Sequence, residues 1–88
     1  MSSNPLDLSD EATLQQALSQ YENAQKMGET VYIDSTLLWD IAQHYQYDEG
    51  DDKAAEEAVD YALRLFPNDD DFLNYKIELL LEKVDEEK

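Results

Sequence analysis

Cysteine is absent from the 88-residue chain, so neither a disulfide framework nor thiolate chemistry is available to it. Bases are scarce: six Lys and Arg stand against 22 Asp and Glu, a formal charge of −16. That balance excludes ordinary nucleic-acid binding, which needs cations to displace the counterions around phosphates. It equally opposes an anionic membrane surface. No apolar run is long enough to span a bilayer, and "MSSNPLDLSD" lacks the basic start and apolar stretch of a signal peptide. The expectation is a soluble, cytoplasmic protein whose self-repulsion makes its stability rise with salt. What is present argues against disorder, because 42% of residues are hydrophobic and nine are aromatic. The length fits a single domain over residues 1–88 with a modest core.

Two glycines and two prolines leave few breaks in an otherwise helical pattern. Ser9 reads as the cap of a first helix over residues 10–27, with Asp10 and Glu11 at its positive dipole end. Its apolar stripe is Leu14, Ala17, Leu18, Tyr21 and Ala24, and Gly28 closes it. After the extended link "ETVYID", Asp34 or Ser35 caps a second helix to Tyr47, with Leu38, Ile41, Ala42 and Tyr45 inside. "YDEGDD" is a turn, with Gly50 at the bend and Asp51 or Asp52 capping a third helix to Phe66. That helix buries Ala55, Ala58, Val59, Ala62 and Phe66, its alanines letting a neighbour approach closely while Tyr45 supplies bulk opposite them. Pro67 stops it, and "NDDD" caps a fourth helix over residues 70–84. Its main stripe reads Leu73, Ile77, Leu80 and Val84, leaving Phe72, Tyr75 and Leu79 on a second flank. The fold class is all-α, four helices joined by short connections so that neighbours run antiparallel.

Helices two and three also resemble the tetratricopeptide repeat, whose first helix carries W-x2-L-G-x2-Y and whose second carries A-x3-F-x2-A-x4-P. Here Leu38, Ile41, Ala42 and Tyr45 follow the first spacing, and Ala55, Val59, Ala62 and Pro67 follow the second. Residues 35–68 would form the one full repeat. The stretch "GETVYIDSTLLWDIAQHY" further looks like tetratricopeptide proteins of Bacteroidetes bacteria. Two departures stand out: the interval from Tyr45 to Gly50 is one residue too long, and Trp39 misses the family's tryptophan position. The resemblance implies helical hairpins that stack to bury faces no hairpin covers alone. The Phe72, Tyr75 and Leu79 flank would then be covered by helix one or the link, be paired with a second copy, or stay exposed as in a fragment of a longer array.

Chemistry-bearing motifs are few. "YDEGDDKAAEEA" fails as a calcium loop because its glycine comes too early and its acids do not alternate. His44, the single histidine, lacks partners for a zinc site and is expected beside the surface carboxylates Asp40 and Asp48. No acid lies in an apolar stretch, and no phosphate loop, nucleophile elbow or metal-binding helix motif occurs. Neither an enzyme nor a cofactor or metal is expected. The binding candidate is the other face of helix two: Thr36, Trp39, Gln43, Gln46 and Tyr47. In the family resembled, that face lines the groove that grips peptides, and aromatic anchors dominate interface energetics. Trp39 has a competing place as core between helices one and two. Helix two carries none of the lysines with which the family clamps C-terminal carboxylates.

The reading is thus a non-catalytic, acidic, tetratricopeptide-like module that binds a basic or neutral protein or peptide. Two alternatives remain open: an acidic mimic of nucleic acid that blocks a DNA-binding protein, and a self-assembly unit paired as a homodimer through helix four.

Overall fold

A computed structural model of the chain describes the backbone of residues 5–86 and the side chains of residues 13–84. Four α-helices make up its architecture: α1 (Pro5–Met27), α2 (Ser35–Gln43), α3 (Asp52–Leu65) and α4 (Asp70–Glu86). A π-helical turn over His44–Asp48 extends α2 without a break. No strand occurs among the described residues, so the fold is all-α.

Each helix packs on the next in sequence. The ion pairs Lys76–Asp60 and Lys83–Glu56 show that α3 and α4 run antiparallel, since numbers rise along one as they fall along the other. No helix of the described residues is long and apolar enough to cross a membrane.

The helix ends follow local chemistry. α1 begins at Pro5, a turn earlier than expected, so Ser9 lies inside the helix and does not cap it. Proline suits this first position, because its missing N–H would have no helical partner there. Asp10 and Glu11 fall outside the described side chains. At the other end Gly28 takes φ +71°. The Gly28 N–H donates to the Gln25 carbonyl and the Glu29 N–H to the Ala24 carbonyl, the paired bonds of a Schellman cap. The Asp34 carboxylate accepts from the Thr36 N–H, Asp51 from the Ala54 N–H, and Asp69 from the Asp71 and Phe72 N–H groups. Each satisfies backbone donors that a helix leaves orphaned at its start.

The "YDEGDD" segment holds two devices. Gly50 turns the chain at φ +64°. Before it, the Glu49 N–H donates to the His44 carbonyl, five residues back, which is the π-type bond. A π turn accommodates one more residue than an α turn, and it falls within the interval that is one residue longer than the repeat spacing.

The core is made by Ala17, Leu18, Tyr21 and Ala24 of α1, Leu38, Ile41 and Ala42 of α2, and Ala55, Ala58, Val59, Tyr61 and Ala62 of α3. Ile33 of the link joins them. Leu14, Tyr45 and Phe66, expected inside, are half-buried at its edge. Tyr45 turns toward α1, where its hydroxyl donates to Glu22 and its ring tilts against Tyr21.

Tyr61, fully buried, was not anticipated. Its hydroxyl donates to the Val31 carbonyl at 2.7 Å and accepts from the Val31 N–H at 2.8 Å. One side chain thereby satisfies both polar groups of a residue in the extended link, and holds that link against α3.

α4 is turned differently from its expected stripe. Phe72, Tyr75 and Leu79 are buried, whereas Leu73, Ile77, Leu80 and Val84 are exposed. The aromatic flank goes inward because each aromatic ring buries more apolar area than an aliphatic side chain. It also finds partners: Trp39 meets both rings, and the Tyr75 hydroxyl donates to Gln46 at 2.7 Å. In this orientation Lys76 and Lys83 reach the α3 acids Asp60 and Glu56. The idea that the Phe72 flank pairs two copies is therefore wrong as to the surface.

Candidate functional site

The five residues expected on one binding face do not form one site. Thr36 and Trp39 stay together near the start of α2. Gln43 and Tyr47 line a second hollow, of about 260 Å³, with Leu14, Asp40, His44 and Asp48. Gln46 is occupied as the acceptor for Tyr75. Tyr47, 70% exposed, lies in the π turn and faces the hollow that Leu14 of α1 also lines.

Trp39 is half-buried between α2 and α4, not between α1 and α2. Its ring lies 5.7 Å from that of Phe72 and 4.8 Å from that of Tyr75, centroid to centroid. These tilted and edge-to-face contacts are the arrangements that aromatic quadrupoles favour. Part of Trp39 remains accessible and lines a shallow pocket of about 170 Å³. Ser35, Thr36, Asp69, Asp71 and Phe72 complete the lining. The lining thus combines aromatic residues of α2 and α4 with two acids at the start of α4.

Asp69, Asp71 and Phe72 escaped the sequence reading as site residues. "NDDD" was accounted for as a cap, which Asp69 indeed is. Nothing local to residues 69–72 says that Trp39 lies beside them. Only the packing of α2 and α4 on α3, with the rings of Trp39 and Phe72 meeting, brings the two segments together.

Three phenols are raised above their ordinary value, chiefly because they are buried. Burial, with the neighbouring acids adding to it, pushes the Tyr75 hydroxyl up to about 12. Burial followed by Glu57 does the same for Tyr21. The Tyr45 phenol is raised by burial and by its bond to the Glu22 carboxylate.

His44 sits at the second hollow with both ring nitrogens turned to acids. Nδ1 lies 3.1 Å from Asp48 Oδ2 and Nε2 lies 3.3 Å from Glu49 Oε2. Asp48 was expected there and Glu49 was not; the π turn is what brings residue 49 back over residue 44. Among the described residues no group of three or more His, Cys, Asp or Glu side chains is placed to hold a metal ion. Every buried side-chain polar atom among them has a hydrogen-bond partner.

Comparison with family models, characterised proteins and solved structures finds no significant match for the chain.

Proposed function

We propose that the protein is a non-catalytic interaction module, a tetratricopeptide-like helical unit that receives a basic side chain of a protein or peptide partner at the Trp39 pocket. The observation that carries this reading is the pocket's composition: Trp39 and Phe72 together with the acids Asp69 and Asp71. An aromatic face attracts a cation, and neighbouring carboxylates attract it further. A volume of about 170 Å³ suits one side chain of a segment lying across the surface and not a whole small-molecule ligand. The −16 charge supports the same partner sign by steering basic segments toward the chain. Sequential packing of short-linked helices and the repeat spacing of residues 35–68 support the repeat-like scaffold.

Trp39 is the only tryptophan, so its fluorescence reports the pocket directly. Titration with a set of Lys- and Arg-containing peptides should perturb it, with affinity falling as salt rises. Asp71→Asn, at an exposed residue that supplies no cap, should weaken binding by about tenfold while the helical signal is unchanged. Binding that ignores salt, Asp71→Asn and Trp39→Ala alike would sink the proposal. Competition with DNA for a basic protein, without any response of Trp39, would favour the nucleic-acid mimic instead.

A further inference from the structure

α4 exposes a continuous apolar stripe on the side away from the Trp39 pocket. Leu73 and Leu80 are each 41% exposed, Ile77 54%, Leu81 59% and Val84 58%. Together they leave roughly 500 Å² of aliphatic surface in water, the size at which a patch on a monomer marks an interaction site.

The spacing of that stripe is that of a coiled-coil seam. Leu73, Ile77, Leu80 and Val84 follow one another at intervals of four, three and four residues. In heptad terms Leu73 and Leu80 occupy d, and Ile77 and Val84 occupy a. Leucine at d with a β-branched residue at a is the combination that favours two parallel strands.

Charge singles out the same face. A chain at −16 repels its own copies nearly everywhere, yet between residues 73 and 84 no acid occupies an a, d, e or g position. The e positions hold Asn74 and Leu81, and the g positions hold Lys76 and Lys83. Both lysines are engaged with α3 acids in the same chain, so the seam is bordered by locally balanced charge. Glu78 and Glu82 fall at b and f, outside the contact.

From these observations we propose that two copies of the chain associate through α4, with the Leu73–Ile77–Leu80–Val84 seams packed in parallel. Two such stripes face to face remove about 1,000 Å² from water, which reaches the lower bound of specific interfaces. Two heptads are too few to hold a free coiled coil together, but α4 is already fixed as a helix on α3, so association costs no helix nucleation. The parallel arrangement sets each g lysine beside an uncharged e position of the other copy, whereas an antiparallel one would set lysine against lysine.

Sedimentation equilibrium of the full chain over a range of concentrations at moderate salt tests this. The expected result is a reversible dimer, twice the mass of one chain. Ile77→Glu, at a half-exposed position that leaves the core intact, should raise the dissociation constant by at least roughly 100-fold with unchanged circular dichroism. Glu78→Gln should not weaken association. Because the chain has no cysteine, Ile77→Cys gives a clean geometric readout. In parallel seams equivalent a positions meet, so mild oxidation should link the dimer covalently. A chain that stays monomeric at every concentration overturns the proposal and leaves the stripe to a helix of another protein. A dimer indifferent to Ile77→Glu overturns it by placing the contact elsewhere. A dimer that Ile77→Glu dissolves but Ile77→Cys does not link overturns the parallel orientation.

Discussion

The two sides of α4 are both apolar, yet one is core and the other is surface. Inside lie Phe72, Tyr75 and Leu79; outside lie Leu73, Ile77, Leu80 and Val84. The outer set is the more regular stripe, and regularity alone selects it as the buried one. What decides the matter is the shape and chemistry of the surface that receives the helix. α4 packs on α3, and Trp39 offers an aromatic wall for two rings. Gln46 accepts from the one phenol that would otherwise be buried without a partner. Aliphatic residues need nothing of this kind, and so can be left facing outward to pair with another aliphatic surface.

The sharpest way to break this comparison is to remove one side chain from each face. Phe72→Ala opens a cavity in the core and should lower the free energy of unfolding by about 3–5 kcal/mol. Ile77→Ala, measured in dilute monomer, should change it by no more than about 0.5 kcal/mol. Urea denaturation of the two variants gives both numbers. Equal losses, or the reverse order, would mean that α4 is turned the other way.

A second contrast lies between helix–helix packing and the tie that holds the link. Tyr61→Phe keeps the buried ring and removes only its two bonds to Val31. The expected loss is about 1–3 kcal/mol, since the Val31 N–H and carbonyl then lack their partner. Hydrogen exchange locates the effect: protection of the Val31 amide should drop while amides in the middle of α2 keep theirs relative to global stability. A uniform loss would show that the link is not held locally by this hydroxyl.

These cases also mark how far the chain can be read without its structure. The inner stripes of α1 and α2 and the alanines of α3 were legible, because each forms a single apolar stripe with no rival on its helix. The caps at Gly28, Asp34 and Asp51 were legible because their chemistry is local. α4 was not, since two apolar faces compete there and the winner depends on residues distant in sequence, such as Trp39 and Gln46. Tyr61 was missed for a similar reason: its partner is a backbone group 30 residues earlier, which no spacing reveals. Of the face expected on α2, the sequence places Thr36 and Trp39 together as the structure does, but not Gln43 and Tyr47. The length of the Tyr45–Gly50 interval was visible, but that part of it would be a π turn depends on hydrogen bonding that the spacing does not contain. Tyr47 lies in that turn and lines a different hollow from Trp39.

The gentlest probe of the inner face leaves the protein unaltered at neutral pH. Tyr75 on α4 and Tyr21 on α1 both have phenols pushed up from an ordinary value of 10 to about 12, chiefly by burial. A raised value in the fold means that the neutral phenol is the form the fold favours. The stability it contributes is complete below pH 10 and is lost as pH rises toward 12, because the unfolded chain releases these protons more readily. Alkaline titration should therefore show part of the tyrosinate absorbance appearing together with loss of the helical signal, between pH 10 and 12. Tyr75→Phe should move that transition to higher pH, having removed one of the ionisations that drive it, even though the bond to Gln46 is gone at neutral pH. If the same absorbance were complete near pH 10 with the helices intact, Tyr75 would be open to solvent. The inner face of α4 would then be no more protected than the outer one.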